Sequence, residues 1–248
     1  KVDIIWNITL VCPWDCEICC VDAVHVSRKE NTIMTRSNNL RDVEQLVKLD
    51  GLGTIFDQAM QYRQMKGLEL DKHGKLKVLD HLEGFSPKID FSGGDPLATS
   101  ETLEIMEAAS KRFGKSQITL TATGAGLARC DPHRLSELIG ELNFSYDSVV
   151  SNKNRPDRYA PSNLYKAKQF AELGISMRAE CPLSVHNVGS ERLKQIYINL
   201  HEAGIEKLLI MRLFPSGRGK FVEEDIPTLK QYREAIELLR ELEKIFET

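Results

Sequence analysis

The sequence lacks any long apolar run and any marked excess of one charge. Its 248 residues are 42% hydrophobic and 28% charged, and 33 basic side chains are set against 36 acidic ones. A helix that crosses a membrane needs about 20 consecutive, predominantly apolar residues, and a surface that binds nucleic acid usually carries clustered Lys and Arg. We therefore expect neither a membrane nor a nucleic acid as a partner, which leaves small molecules and peptides as substrates.

The first ten residues also lack the charged-then-apolar layout of a secretory signal peptide. We therefore expect a cytoplasmic protein. A chain of this size buries about three quarters of the surface that its unfolded form exposes, so it needs no disulfides to fold. Four of its six cysteines lie at positions 12, 16, 19 and 20. This spacing is typical of ligands around one object rather than of disulfides between distant segments.

Short segments rich in Val, Ile, Leu and Thr alternate with segments of helical spacing along most of the chain. Strands are predicted at residues 4–10, 88–92, 117–122, 148–151, 175–180 and 207–213. Helices are predicted between them, around residues 103–113, 135–142, 167–171 and 193–200, with a last helix opened by Pro227. The alternation predicts an α/β fold with a parallel sheet and right-handed crossovers. Of the curled and open forms of such a sheet, we favour a partial (β/α)6 TIM-type barrel.

The stretch of residues 21–70 is too long for a single connection. It has helical patterns of its own, first at Val43, Leu46 and Val47 and then at residues 55–60. We therefore interpret it as a helical segment inserted after the first strand. The core barrel is expected over residues 1–220, followed by a C-terminal helical segment over 221–248. This last segment shows no stop signal before its end, which leaves truncation as an open alternative.

Three cysteines follow the first predicted strand directly, in the pattern Cys12-x3-Cys16-x2-Cys19. A cubane cluster has four irons, and three thiolates from one tight loop can hold three of them, which leaves the fourth iron open to a ligand. Structural zinc, with Cys20 or His25 as a fourth ligand, is an alternative, although zinc motifs usually bring two separated ligand pairs. A redox pair formed by Cys16 and Cys19 is a second alternative, although no thioredoxin-like context surrounds it.

A second motif, Ser-Gly-Gly-Asp-Pro-Leu at residues 92–97, follows the second predicted strand. With both motifs, the core over residues 1–220 resembles the radical S-adenosylmethionine (radical SAM) superfamily, in which Gly-Gly-Glu-Pro-Leu holds the methionine amino group of S-adenosylmethionine (SAM). The sequence departs from the family's pattern at Asp95, where Glu is commoner, and at Ile18, where an aromatic residue often precedes the last cysteine. Both departures affect the fine geometry of the expected site.

The resemblance implies a [4Fe–4S] cluster on Cys12, Cys16 and Cys19, with SAM on its open iron. It also implies that SAM-binding residues follow the barrel strands, because the carboxyl ends of parallel strands meet at one rim. The expected SAM contacts are Gly93, Gly94 and Asp95 after the second strand, Thr123 after the third, Ser151 after the fourth, and Met211 and Leu213 at the sixth. Taken alone, the two glycines would indicate only a tight turn, Asp95 only a helix cap, and Ser151 only a turn serine.

Three arginines, Arg155, Arg158 and Arg178, compete for the carboxylate of SAM, because a guanidinium grips a carboxylate at two points. Arg158 lies nearest to the family's pattern and is therefore the predicted ligand. Composition alone would place each of the three on the surface.

Cys181 ends the fifth predicted strand and is a candidate donor of a hydrogen atom to a product radical, although a buried cysteine is most often a small apolar side chain. Glu17, Glu180 and His186 are candidates for proton transfer, with a solvated surface position as the alternative. Residues 214–219 resemble a segment that follows the sixth strand in family members that modify peptides or cofactors.

The resemblance implies a radical SAM enzyme. With one electron from a ferredoxin- or flavodoxin-like donor, such an enzyme cleaves SAM to methionine and a 5′-deoxyadenosyl radical, which abstracts hydrogen from the substrate. We favour a small organic substrate, such as a sugar, nucleoside or amino-acid derivative, because Cys130 and Cys181 are too few for a further cluster. The class of reaction stays open. The alternatives are a peptide-modifying radical SAM enzyme whose auxiliary-cluster domain lies outside this sequence, and a non-catalytic binding protein stabilised by zinc.

Overall fold

A computed structural model of the protein describes residues 2–36, 45–48, 53–150 and 154–246. In chain order its strands are β1 (Val2–Thr9), β2 (Val11–Cys12), β3 (Val24–Lys29), β4 (Thr32–Arg36), β5 (Gln45–Lys48), β6 (Pro87–Gly93), β7 (Ile118–Thr121), β8 (Glu141–Ser145), β9 (Ser176–Leu183) and β10 (Lys207–Arg212). Its α-helices are α1 (Ile55–Met65), α2 (Lys72–Leu82), α3 (Ser100–Phe113), α4 (Gly124–Leu127), α5 (Pro132–Leu138), α6 (Tyr159–Ala171), α7 (Ser190–Glu202) and α8 (Leu229–Phe246).

Six parallel strands form the main sheet, in the order β1-β6-β7-β8-β9-β10. Parallel neighbours need long crossover connections, and the helices of the chain supply them. Within the described part of the chain, no pairing joins the edge strands β1 and β10. The predicted α/β fold with a parallel sheet is therefore confirmed, and its six strands do not close into a full barrel, in agreement with the expected partial barrel.

The two faces of the main sheet differ in chemistry because side chains alternate between them along each strand. On the outer face, Ile89, Phe91, Leu120 and Phe144 are fully buried in one core with residues of the helices. The opposite face, which we call the inner face, is polar at the alternate positions. These include Asp90, Thr121, Asn143, Arg178 and Glu180.

The inserted segment differs from its predicted helical structure. Its first part consists of strands, because β3, β4 and β5 join β2 in a second, four-stranded sheet. Val24 and Val26 are buried at alternate positions of β3, and this period of two is that of a strand. Leu46 and Val47, which suggested a helix, lie in β5, and Val43 lies outside the described residues. The second part is helical as predicted, in α1.

The fourth strand of the main sheet is β8, and the prediction of a strand at 148–151 is wrong. Helix α5 ends at Leu138, and Leu142 already belongs to β8. Leu142 fits both a helical spacing from Leu138 and a strand alternation with Phe144. Burial of Leu142 and Phe144 together on the helix-covered face is what the strand achieves. Ser151, the SAM contact expected after this strand, lies outside the described residues.

Two junctions between a helix and a strand follow the sequence pattern. Gly174 and Gly204 each end a helix with a φ angle of 74° and 72°, respectively. Glycine adopts this left-handed conformation without the steric cost that a Cβ atom would add. In the sequence each glycine is followed by an apolar segment that starts with isoleucine, which is the pattern of a helix end before a strand.

Helix α8, the last described element, begins at Leu229 rather than at Pro227. It is amphipathic: Ala235 and Leu242 are buried, whereas Lys230 and Glu234 are exposed. Neither α8 nor any other helix in the described ranges is long and apolar enough to cross a membrane.

Truncation of a core aromatic side chain should be far more costly than truncation of an exposed one. Phe144 is fully buried, whereas Phe85 is 59% exposed. We expect Phe144→Ala to lower the free energy of unfolding by about 3 to 5 kcal/mol, because it removes buried apolar area and leaves a cavity. Urea unfolding measures the loss, with Phe85→Ala as the control. Equal losses in the two variants would contradict this description of the core.

Candidate active site

Three loops meet at the carboxyl ends of β1, β6 and β7. The N–H of Gly94 donates to the carbonyl oxygen of Thr9 at 2.8 Å, and the N–H of Asp95 donates to that of Val11 at 2.9 Å. From the loop after β1, the Trp14 Nε1–H donates to Thr123 Oγ1 at 3.0 Å. The structure therefore brings the segment of residues 12–20, which we call the cysteine loop, beside the Gly-Gly turn and Thr123.

The two glycines of the turn are needed for this close approach. Gly93 has a φ angle of 137°, in the region that favours glycine. A Cβ atom at Gly93 would collide with the carbonyl oxygen of Thr9, and one at Gly94 would collide with the carbonyl oxygens of Leu10 and Val11. The turn thus lies directly against the backbone that leads into the cysteine loop.

Asp95 is fully buried behind this turn. Its carboxylate accepts hydrogen bonds from the Leu97 and Gly126 backbone N–H groups and a short one from the Thr123 hydroxyl. Burial raises the pKa of the Asp95 carboxyl to about 6, against the opposing effect of these hydrogen bonds. Of the two roles weighed for Asp95, the helix-cap role is present in the structure, and the pairing with an ammonium group stays a prediction.

Each of the three motif cysteines accepts a hydrogen bond at its sulfur. The Trp14 backbone N–H donates to Cys12 Sγ at 3.4 Å, and the Ala23 N–H donates to Cys19 Sγ at 3.3 Å. The side chain of Arg155 donates to the sulfur of Cys16. Hydrogen bonds to sulfur are a means by which proteins tune iron–sulfur clusters.

The protonation of these thiols depends on burial. Cys12 and Cys16 are each 5% exposed, and burial raises the pKa of both. Arg155 partly offsets this effect at Cys16, because a nearby positive charge favours the thiolate. Binding of a metal cluster would therefore release protons, since only thiolates act as ligands.

The donor set fits an iron–sulfur cluster. Its members are three thiols within electrostatic reach of one another, and each is supported by a donor from the chain. Cys20 and His25 were the candidates for a fourth ligand of structural zinc. Cys20 is exposed, and His25 lies in β3 opposite Cys12. Among residues 2–36, 53–150 and 154–246, no three His, Cys, Asp or Glu side chains are gathered as they would be around a single metal ion.

Arg218, which follows the edge strand β10, contacts the cysteine loop, which follows the other edge of the sheet at β1. It is 3% exposed, its Nε donates to the carbonyl oxygen of Cys16 at 2.7 Å, and its Nη1 donates to that of Ala23 at 2.7 Å. The backbone N–H of Arg218 donates to the carbonyl oxygen of Cys19 at 2.9 Å. Gly217, with a φ angle of 54°, lets the chain pass against the loop, because a Cβ atom there would collide with the Cys19 and Cys20 carbonyls.

Arg218 lies in the segment 214–219 that the sequence singled out, but its role was not predicted. The residue type and its position gave a weak signal, since the partners of Arg218 are backbone carbonyls near the other end of the chain.

Of the competing arginines, Arg155 lies at the site. It is paired with Asp147, with Nη2 at 2.8 Å from Oδ2, and its guanidinium lies 4.6 Å from the centre of the Tyr159 ring. Arg158, the predicted ligand, is exposed at the start of α6 with a φ angle of 67°. Asp147 explains the difference, because this buried carboxylate holds Arg155 inside the protein.

The role of Cys181 as a hydrogen-atom donor stays a prediction, and its position in the structure gives it no support. Cys181 is fully buried and shares the outer face of β9 with Ala179 and Leu183, in the core with the helices. Its strand position was correctly placed, but the alternation turns its thiol away from the inner face. Glu180 is the residue of β9 that lies on the inner face at this height.

The remaining predicted residues fall at different places. Ser145, at the end of β8, occupies the strand-end position that the sequence assigned to Ser151. Leu213 packs with Ile18 of the cysteine loop, and Met211 is half-buried near the end of β10. His186 Nε2 lies 3.2 Å from Asp225 Oδ1, and Glu17 is exposed in the cysteine loop.

Comparison with solved structures identifies the fold. SuiB of Streptococcus suis bound to its precursor peptide SuiA matches with a TM-score of 0.55 and 16% identity, over 100% of this chain and 47% of that chain. The coproporphyrinogen III oxidase HemN from Escherichia coli, described as a radical SAM enzyme, matches with a TM-score of 0.60 and 11% identity, over 100% and 52%. The chain has the radical SAM fold.

A third structure that matches this fold is that of anSMEcpe with bound S-adenosylmethionine and the Cp18Cys peptide. It has a TM-score of 0.59 and 17% identity, over 98% of this chain and 59% of that chain. The chain thus spans about half the length of the radical SAM structures that it matches. No family model matches the sequence, and no curated protein matches it.

Loss of the Arg218 side chain should loosen the cysteine loop. We expect Arg218→Met to lower the free energy of unfolding of the metal-free protein by about 2 to 4 kcal/mol, because buried carbonyls lose their charged donors. Iron bound per chain after anaerobic reconstitution should fall as well. Arg212→Met is the control, since Arg212 is exposed at the end of β10. Unchanged stability and iron content in Arg218→Met would contradict the conclusion that Arg218 holds the cysteine loop in place.

Asp95 should make stability depend on pH. Its carboxyl has a pKa of about 6 in the folded protein against 3.8 as its ordinary value, so the folded state binds this proton more tightly. The protonated carboxyl therefore stabilises the folded state fully below pH 3.8, and this stabilisation is lost as the pH rises through about 6. Relative to Asp95→Asn, the wild type should lose roughly 2 to 3 kcal/mol between about pH 4 and pH 7. Urea unfolding at both values tests this, and a pH-independent difference would contradict it.

Proposed function

We propose that the protein is a radical SAM enzyme that holds a [4Fe–4S] cluster on Cys12, Cys16 and Cys19. The observation that carries the proposal is the set of three hydrogen-bonded thiols at the carboxyl end of β1, beside the Gly93-Gly94 turn. The radical SAM fold supports it. So do the structures of SuiB and anSMEcpe with bound S-adenosylmethionine, which share the fold.

The chemistry that the bound cluster and SAM would supply is one-electron cleavage of SAM to methionine and a 5′-deoxyadenosyl radical, which takes a hydrogen atom from the substrate. The residues of this chain would position the cluster and SAM. Gly93 and Gly94 leave backbone groups accessible where a Cβ atom would block them, and Thr123 fixes the buried Asp95 carboxylate next to them. Arg155, held by Asp147, donates to the Cys16 sulfur and orients it.

Further SAM contacts are proposed at the strand ends. Met211 and Leu213 are proposed beside the adenine, and the packing of Leu213 on Ile18 of the cysteine loop supports this position. Ser145 is proposed for the strand-four contact in the place of Ser151. The contact between Arg158 and the SAM carboxylate stays a prediction, and its exposed position gives it no support.

The substrate is proposed to be a peptide. This is supported by SuiB, solved with its precursor peptide, and by anSMEcpe, solved with the Cp18Cys peptide. A small organic substrate is the second candidate, favoured by HemN, which is a coproporphyrinogen III oxidase. Because the chain spans about half of these neighbours, the activity, substrate and partners of the whole protein all belong to this proposal.

Two further parts of the proposal concern organisation and electron supply. Residues 1–220 would form the catalytic core and residues 221–248 a helical segment beside it. A ferredoxin- or flavodoxin-like protein would deliver the electron. The exposure of Cys20, next to Cys19, supports access to the cysteine loop from the surface. The zinc-stabilised binding protein remains the alternative from another class.

The proposal predicts opposite results for two neighbouring cysteines. After anaerobic reconstitution with iron and sulfide, we expect the wild type and Cys20→Ala to be brown and to form 5′-deoxyadenosine from SAM with dithionite as reductant. Cys16→Ala should lose both properties, because a missing thiolate leaves one iron without its ligand. Iron analysis and chromatography of the products measure the outcome. A colourless wild type that binds zinc instead, or loss of iron in Cys20→Ala, would contradict the assigned ligands.

A further inference from the structure

The inner face of the main sheet carries a row of polar groups that the proposed cleavage of SAM does not use. Thr121 Oγ1 donates to the two carboxylate oxygens of Asp90, at 2.9 and 3.0 Å. Asn143 Nδ2 lies 3.4 Å from Asp90 Oδ2 and 3.2 Å from Thr121 Oγ1. Glu180, on the next strand, lies 3.9 Å from the nearest guanidinium nitrogen of Arg178. These groups form a continuous polar surface across four strands.

Asn143 has an acceptor that no described residue satisfies. The residue is fully buried, and its Nδ2 faces two acceptors, Asp90 and Thr121, which fixes the orientation of the amide. Its Oδ1, the other end of the same amide, has no hydrogen-bond partner among the described residues. A buried, unpaired acceptor destabilises the protein unless a water molecule or a ligand supplies the donor. This oxygen is an observation independent of the two carboxylates.

The charges of the row also favour a positive ligand. At the amino end of the inner face, Glu141 is paired with Lys88 and Lys207, each at 3.3 Å. Nearer the cysteine loop, the Arg178 guanidinium faces two carboxylates, those of Asp90 and Glu180. Two carboxylates against Arg178 leave this half of the face with one negative charge in excess, because the charge of Arg155, which also acts on Glu180, is balanced by Asp147.

The pKa values of both carboxyl groups in the row are raised. Burial is the largest cause of a raised pKa at both Asp90 and Glu180, and the charge of Asp90 raises that of Glu180 further. Arg155 acts on both the Glu180 carboxyl and the Cys16 thiol. The acidic row therefore adjoins the cysteine loop, where hydrogen abstraction would take place.

We propose that this row is the substrate subsite and that it binds a primary ammonium group through Asp90, Glu180 and Asn143 Oδ1. An ammonium group has three N–H donors and no acceptor, which matches two carboxylates and an unpaired amide oxygen in one row together with the excess negative charge. Arg178 Nε, which has no hydrogen-bond partner in the described part of the chain, is available for an acceptor elsewhere on the same ligand. The inference rests on the proposed function only in naming the ligand as the substrate.

The test compares a cationic probe with a neutral one of similar shape. The probes are Nα-acetyl-lysine N-methylamide and Nα-acetyl-norleucine N-methylamide, titrated into the full chain with its cluster reconstituted and SAM present. Ligand-observed NMR gives the dissociation constants. We expect the lysine probe to bind at least about tenfold tighter, because it alone makes charge-assisted hydrogen bonds. Equal affinities would overturn the proposal.

Pentylamine, as a third probe, distinguishes the two sources of an ammonium group. If pentylamine binds as tightly as the lysine probe, the subsite takes a free small amine. If the lysine probe binds more tightly, the subsite takes a lysyl side chain of a peptide. Both results support recognition of an ammonium group.

Variants locate the subsite. Glu180→Gln and Asp90→Asn should each weaken binding of the lysine probe about tenfold and leave the norleucine probe unchanged. Asp3→Asn is the matched control, because it removes an exposed carboxylate from the amino end of the same face and should change neither affinity. If Asp90→Asn does not fold in a thermal unfolding assay, Glu180→Gln decides the question. Lysine-probe affinity unchanged in Glu180→Gln would overturn the proposal.

The two proposals can fail separately. Formation of 5′-deoxyadenosine by the wild type is measured on the same preparation. Absence of this product with a clear preference for the lysine probe would contradict the radical SAM activity alone. Formation of the product with no preference between the probes would contradict the ammonium subsite alone.

Discussion

The candidate site depends on a hydrogen-bonded guanidinium that holds an irregular loop. After Cys12 the cysteine loop has no regular secondary structure, so its buried carbonyl groups need donors from elsewhere. Arg218, in the segment that follows the last strand of the main sheet, supplies them at Cys16 and Cys19, and it also donates to Ala23 just after the loop. The three thiols are therefore arranged only when the chain near residue 12 and the chain near residue 218 are both in place, which ties the chemistry to completion of the fold.

The architecture could be predicted from sequence where a single periodicity was present. The apolar alternation in β7 and the glycines at 174 and 204 each indicate one local structure, and the structure has it. The prediction was wrong where two periodicities coincide. Leu142 fits a helix and a strand equally well, and only the burial of its neighbours against other elements decides between them. The inserted segment was misjudged for the same reason.

The candidate site was predictable in its motifs and not in its supports. The cysteine pattern and the Gly-Gly turn are local, and the structure brings them side by side. The partners of Arg155 and Arg218 are a buried carboxylate and distant carbonyl groups, which no local pattern reveals. The face on which Cys181 lies depends on which side of the sheet the helices cover. Such supports are properties of packing, so they become visible only when the elements are assembled.

The use of aspartate rather than the commoner glutamate at position 95 has a consequence for the spacing of two loops. Gly126, after β7, approaches so closely that a Cβ atom there would overlap the Asp95 carboxylate. A glutamate at position 95 would need room for one more methylene group, although the space is already so small that position 126 has no side chain. The shorter acid and the bare backbone thus form a mutually dependent pair, and a lineage could exchange one only by moving the other.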